Sequence, residues 1–208
     1  MAQHKEKIPR QPMPEQPPDQ RRKNFDEVPL GYPPETARCE ASRCLQCKNP
    51  ACVSGCPVEI DIPGFIRHIR DGDFKKAIAV LKEKTALPAV CSRVCPQEIQ
   101  CEQRCVLGTT GEPVAIGRLE RFAADFDRTH GSLLLPKIPD PTGKSVGIVG
   151  SGPAGLTVAG DLILKGHAVT VYEAFHKAGG VLVYGIPEFR LPKAIVQAEI
   201  EYLEKLGV

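Results

Sequence analysis

The sequence has no excess of charge of either sign, no apolar run of membrane-spanning length and no cysteine beyond position 105. Its 27 Lys and Arg residues against 25 Asp and Glu leave too balanced a surface to argue for nucleic acid or an anionic membrane as partner. The first twenty residues, MAQHKEKIPRQPMPEQPPDQ, are charged and proline-rich and contain nothing like the apolar stretch of a signal peptide. With no later segment approaching a membrane span, the expectation is a soluble, cytoplasmic protein. At 208 residues and 42% hydrophobic content, the chain can bury the core of one or two domains.

Cysteine is what the first half has in abundance. Nine of them, at 39, 44, 47, 52, 56, 91, 95, 101 and 105, crowd into one stretch. In a reducing compartment such crowding argues for metal ligation over a disulfide framework. The first group reads Cys44-x2-Cys47-x4-Cys52-x3-Cys56-Pro57 and the second Cys91-x3-Cys95-Pro96-x4-Cys101-x3-Cys105. A 4Fe–4S cube needs four anionic ligands at its corners, and two or three residues between cysteines let one loop wrap most of it. Structural zinc could use the same residue types. Two groups of four with Cys-Pro ends are more typical of paired cubes that exchange a ligand, because proline turns the chain away from the first cube. Cys39 stands outside both groups and reads as a packed side chain.

The chain divides by composition. Residues 1–35 hold eight prolines among charges and should form an extended or disordered tail. Residues 36–130 have a helical pattern interrupted by cysteine loops. Thr36 can cap a first helix, Phe74, Ala77, Ile78 and Leu81 form an i, i+3, i+4, i+7 stripe, and a later helix fits 117–128 with Leu119, Phe122, Ala123 and Phe126 on one face. Residues 131–144 read as a linker. From 145 to 208 the grammar is βαβ: β runs at 145–149 and 168–172, an apolar helix over 153–165, and a final amphipathic helix marked by Val196, Ile200 and Leu203.

The first β run leads into Gly150-Ser151-Gly152-Pro153-Ala154-Gly155 and then directly into the helix, the context a dinucleotide-binding fingerprint requires. Gly150 permits the turn, Gly152 admits a pyrophosphate, Gly155 allows close helix–strand packing, and the helix N-terminus offers unpaired N–H groups. Glu173, about 20 residues on, can accept hydrogen bonds from a ribose and would repel a 2′-phosphate, which favours FAD or NAD over NADP at this turn. The segment 179–192, GGVLVYGIPEFRLP, is too rich in glycine and proline for regular structure and too apolar for a solvated loop. Its Gly180, Leu182 and Arg190 are candidate contacts to a flavin ring or the cofactor phosphates.

The order CxxCx4CxxxCP, CxxxCPx4CxxxC, IGRLER, VGSGPAGL and GGVLVYGIPEFRLPK over residues 25–208 resembles the glutamate synthase small-subunit family. That family includes the large subunit of the NADH-dependent ferredoxin:NADP oxidoreductase and the N-terminal part of dihydropyrimidine dehydrogenase. The resemblance implies an α-helical domain with two 4Fe–4S clusters, followed by an incomplete α/β Rossmann-like FAD-binding domain. It implies one cluster on Cys44, Cys47, Cys52 and Cys105, and another on Cys56, Cys95 and Cys101 with Glu120 as fourth ligand, Cys91 being the rival. It further implies an NAD(P)H-dependent electron-transfer subunit working with a second redox subunit, either a large subunit or a ferredoxin-type protein. The second Rossmann motif of that family is not found here, so NAD(P)H is expected in a part of the fold that these residues do not supply. The alternatives are a non-catalytic iron–sulfur docking module and the large subunit of an electron-bifurcating oxidoreductase.

Overall fold

Prolines set several of the helix starts. Pro34, Pro88 and Pro153 each occupy a first helical turn, where their missing N–H has no intrahelical partner to lose. The computed structural model describes residues 8–130 and 135–208. In the N-terminal part, α1 (Pro18–Arg21), α2 (Pro34–Ala41), α3 (Ala51–Ser54), α4 (Ile62–Arg70), α5 (Phe74–Lys82), α6 (Pro88–Val94) and α7 (Ile116–His130) alternate with cysteine-bearing loops. Short 3-10 turns lie at Gln97–Ile99 and Val106–Thr109.

Aspartates start two of these helices. Asp61 accepts from the Gly64 N–H at 3.0 Å and Asp73 from the Lys76 N–H at 3.2 Å. The apolar faces so positioned, Phe65, Ile66 and Ile69 on α4 and Ala77, Ile78 and Leu81 on α5, are buried together with Leu119, Phe122 and Ala123 of α7. Phe74 packs edge-on against both Phe122 and Phe126, with ring centroids 4.8 Å apart in each pair. The stripe from Phe74 to Leu81 thus faces the core. Thr36 is not a cap: α2 begins at Pro34, with Pro33 at the N-cap and no side-chain cap bond.

Residues 8–35 have little regular structure, as their prolines dictate, but they are not a free tail. They form a strap across the helical domain. The Leu30 N–H donates to the Pro14 carbonyl at 2.7 Å, the Gln16 N–H to Val28 at 2.9 Å, and the Tyr32 hydroxyl to Gln11 at 2.6 Å. Glu40, wholly buried, accepts from the Gln11 N–H at 2.7 Å, the Ala115 N–H at 2.8 Å and the Arg43 guanidinium at 2.7 Å. Composition reads the local absence of helix in the strap; it does not read carboxylates some thirty residues away that hold it. Residues 1–7 of the expected tail and 131–134 of the expected linker lie outside the described residues.

The C-terminal part contains β1 (Ser145–Val149), α8 (Pro153–Ile163) and β2 (Ala168–Tyr172), with the strands parallel and in register from Ser145 opposite Ala168 to Val149 opposite Tyr172. This is the small sheet of an otherwise helical chain. The segment 179–192 contains one short helix, α9 (Val181–Tyr184), where no regular structure was expected. The final α10 (Lys193–Leu206) buries Val196, Ile200 and Leu203.

Direct contacts join the two parts, among them a bridge from α10 to α6, one from the strap to the loop before α10, and the packing of α8 on Ala86. Glu199 on α10 accepts from the Ala89 N–H at the start of α6 at 2.8 Å, and the Val28 N–H of the strap donates to the Phe189 carbonyl at 3.2 Å. Gly160 on α8 comes so near Ala86 that a Cβ on it would lie 2.6 Å from the alanine methyl; a larger residue there would push the parts apart.

Candidate functional site

The first group of cysteines is assembled from distant segments. Cys44 and Cys47 follow α2, Cys52 lies on α3, and Cys105 precedes the second 3-10 turn; all four line one cavity, together with Pro50, Pro63 and Val114. Between the first two cysteines the chain turns through Gln46, which has a φ of 52°, a region a non-glycine residue adopts only when its surroundings hold it there. Its amide donates to Cys44 Sγ at 3.4 Å and to the Pro63 carbonyl at 3.0 Å. A donor to a cysteine sulfur is a feature that cysteine spacing does not reveal. Burial, reinforced by Cys105 and Cys44, pushes the Cys52 thiol up to about 11, and burial also raises Cys44. Thiols in such a site ionise when a cation supplies the compensating charge.

The second group gathers around α7. Cys56 and Cys95 each precede a proline, and Cys101 is buried. Burial pushes the Cys101 thiol up to about 12, with Glu102, Glu120 and Cys56 as its charged neighbours. Cys95 is lowered by a hydrogen bond from Cys91, and Glu120, Cys101 and Cys56 surround it. Glu120 is buried, its carboxyl held well above the usual range by that burial, with Cys91 adding to the shift. Its Oε1 is a buried atom with no hydrogen-bond partner. Cys91, by contrast, has protein partners: Cys95, and the Thr85 hydroxyl 3.6 Å from its sulfur.

Close packing explains Gly117 in the same helix, since a Cβ there would lie 2.4 Å from the Gln97 amide. Gln97 in turn donates to the Cys91 and Ser92 carbonyls at 3.3 and 3.4 Å. Among the described residues, no three His, Cys, Asp or Glu side chains converge tightly enough to grip a single metal ion.

At the glycine turn each glycine has its own reason. Gly150 has a φ of 94°; a Cβ on Gly155 would sit 2.0 Å from the Gly150 carbonyl oxygen; a Cβ on Gly152 would meet nothing within 4 Å, leaving open space in front of the α8 N-terminus with its exposed Pro153 and Ala154. Ser151 is buried, and its hydroxyl donates to Glu173 while accepting from the Gly179 N–H at 3.0 Å. Glu173 also accepts from the Ser151 and Phe175 N–H groups, each at 2.9 Å, and these bonds, the Ser151 hydroxyl first, hold its carboxyl down at about 2. An ionised carboxylate is thereby fixed at the end of β2. Gly180 brings the second glycine loop onto the first, a Cβ on it lying 2.8 Å from the Gly152 Cα.

Leu182 is buried beneath this turn. Lys193 fastens the loop from below, its ammonium donating to the Leu182, Ile186 and Leu191 carbonyls, a role nothing in its sequence context announced. Arg190 is placed elsewhere. It lines a cavity with Arg10, Glu27, Arg93, Gln97 and Arg118, between the strap and the helical domain. The structure thus groups Gly150–Gly155, Glu173 and Gly180, and turns Arg190 toward the cysteine domain.

Comparison with known proteins places the chain. It is 43% identical over 184 residues to the NAD-dependent dihydropyrimidine dehydrogenase subunit PreT of Escherichia coli, covering 88% of this chain and 44% of that protein. It is 38% identical over 191 residues to the small chain of the NADPH glutamate synthase of Azospirillum brasilense, covering 91% of this chain and 39% of that one. To the beta subunit of the NADP(+)-dependent formate dehydrogenase of Moorella thermoacetica it is 38% identical over 178 residues, 76% of this chain and 25% of the other. The chain therefore spans less than half the length of these relatives. Among the described residues no helix is long and apolar enough to cross a membrane. Residues 21–132, the stretch that carries every cysteine, match the family described as dihydropyrimidine dehydrogenase domain II, 4Fe-4S cluster, and the chain belongs to that family of iron–sulfur oxidoreductase subunits.

Proposed function

We propose that this chain is an electron-transfer subunit in which residues 36–130 hold two 4Fe–4S clusters and residues 145–208 form the first part of an FAD-binding domain. Cys44, Cys47, Cys52 and Cys105 hold one cluster; Cys56, Cys95, Cys101 and Glu120 hold the other. The observation that carries the reading is the orphaned Glu120 Oε1, enclosed among thiols. An unpaired buried acceptor costs about 1–3 kcal/mol, so a carboxylate kept there without a protein donor is best explained as a ligand. Cys91, already engaged by Thr85 and Cys95, is the weaker candidate.

The chain's own groups have assignable parts in this reading. The Gln46 amide supports the charge on the Cys44 sulfur, while Pro57 and Pro96 turn the chain out of the site. The open space at Gly152 and the α8 N-terminus receive a pyrophosphate. Glu173, held ionised by Ser151 and Phe175, accepts from the ribose and disfavours a 2′-phosphate. Iron–sulfur clusters exchange single electrons and a flavin exchanges one or two, so the groups together connect hydride donors to one-electron carriers. The names of the relatives support NAD(P)H as the hydride donor, bound by residues outside these 208. The partner is a second redox subunit, a large subunit or a ferredoxin-type protein, and the setting is the cytoplasm.

Iron, acid-labile sulfide and flavin analysis of the anaerobically purified protein tests the proposal. About eight irons and eight sulfides per chain are expected on ferredoxin-type stoichiometry, with one FAD. Stoichiometric zinc with negligible sulfide would overturn the cluster reading, and clusters without flavin would reduce the chain to an iron–sulfur docking module.

A further inference from the structure

We infer that Arg10, in the strap, is a positioning residue for the second cluster: by pairing with Glu102 it cancels a buried negative charge next to Cys101 and so holds that cluster's reduction potential up. The inference rests on the two-cluster reading above. Glu102 directly follows Cys101, and its side chain is only 5% exposed. Its Oε1 accepts from the Gly117 N–H at 3.2 Å, one turn of α7 before Glu120, and its Oε2 accepts from Arg10 Nη2 at 2.7 Å. Glu102 therefore ties the Cys101 loop, in which it lies, to the start of α7.

Arg10 is held to this task. Its Nη1 donates to the Pro113 carbonyl at 3.2 Å, and its side chain is 16% exposed. It lies upstream of the family's matched stretch, residues 21–132. In so enclosed a place solvent screens charge poorly, and the electrostatic effect of one carboxylate on a neighbouring redox group is large. Titration with dithionite gives the cluster one electron and hence one more negative charge. An unpaired Glu102 opposes that charge; the Arg10–Glu102 pair does not.

The test uses the cluster-loaded protein with Arg10→Gln, Glu102→Gln and the double variant, each followed by anaerobic redox titration with electron paramagnetic resonance. Arg10→Gln should lower the midpoint of one cluster, the same one that Glu120→Cys moves, and leave the other in place. Glu102→Gln should raise it, and the double variant should return it toward the parent value, with iron and sulfide content unchanged throughout. A packing effect would not give opposite signs that cancel. Unchanged midpoints, or shifts of the same sign in both single variants, would overturn the inference while leaving the clusters assigned. If the parent protein itself lacks a second cluster, the site reading fails and the inference with it. Should Arg10→Gln lose its cluster, Glu102→Gln and Arg10→Lys carry the test: the lysine variant keeps the charge and should hold the parent midpoint, and a fall there would count against the inference.

Discussion

Glu199 offers a quantitative test of how the two parts of the chain are joined. The residue is buried on α10, and its carboxylate accepts from the Ala89 N–H at the start of α6. Burial pushes its pKa from 4.5 up to about 7, against the Ala89 hydrogen bond and the charges of Lys82 and Arg93, which pull it down. The folded chain thus holds this proton more tightly than the unfolded chain. For a carboxyl raised from 4.5 to about 7, the difference is about 3 kcal/mol. Because the folded value is the higher one, the contribution is fully present below pH 4.5 and is lost as pH rises toward 7. Glu199→Gln keeps an oxygen for the Ala89 N–H but cannot ionise. Anaerobic urea unfolding of parent and variant at pH 5, 6, 7 and 8 isolates the residue, since every other titrating group cancels in the difference. The variant should be more stable by less than about 1 kcal/mol at pH 5 and by about 3 kcal/mol at pH 8. A difference that stays constant from pH 5 to 8 would refute the reasoning.

Other expectations follow from the same geometry. Glu120→Ala should make one cluster labile and lose iron from it, Glu120→Cys should keep the iron and shift one midpoint, and Cys91→Ser should do neither. A cluster lost in Cys91→Ser but kept in Glu120→Ala would exchange their roles. Gly155→Ala forces a Cβ to within 2.0 Å of the Gly150 carbonyl oxygen and should cost about 1–3 kcal/mol, with flavin released on gel filtration. Glu173→Ala frees the Ser151 and Phe175 N–H groups and should weaken flavin binding by isothermal titration; an unchanged affinity would count against the ribose contact. Leu119→Ala, at a fully buried position of α7, should destabilise the helical domain by about 2–5 kcal/mol in chemical denaturation.

Much of this architecture is local and therefore legible in the sequence. The β1–α8–β2 unit was readable because alternating apolar runs, a glycine turn and a helix start are written within about thirty consecutive residues, and Gly150, by its positive φ, and Gly155, by its close approach to the Gly150 carbonyl, meet demands only glycine satisfies. The stripe on α5 and the long α7 were readable because helical periodicity is a short-range pattern. Boundaries were less so: Pro33 and Pro34, rather than Thr36, begin α2, since proline's fixed φ sets the first turn without a side-chain cap. The residue types of the iron–sulfur site were equally plain, since nine cysteines in 67 positions have few explanations.

What only the tertiary structure decided depends on distant partners. No periodicity could show that residues 8–35 are strapped down by Glu40 and Glu102, that Lys193 fastens the loop above it through three carbonyls, or that Arg190 faces the cysteine domain and not the glycine turn. Nor could composition distinguish Glu120 from any solvent-facing glutamate on a helix. Its meaning lies in a buried oxygen without a donor, a property of the surrounding packing and not of the residue. A single sequence records which groups can bond and at what local spacing; which of them are denied water, and so must find a partner, is decided only when the chain closes over them.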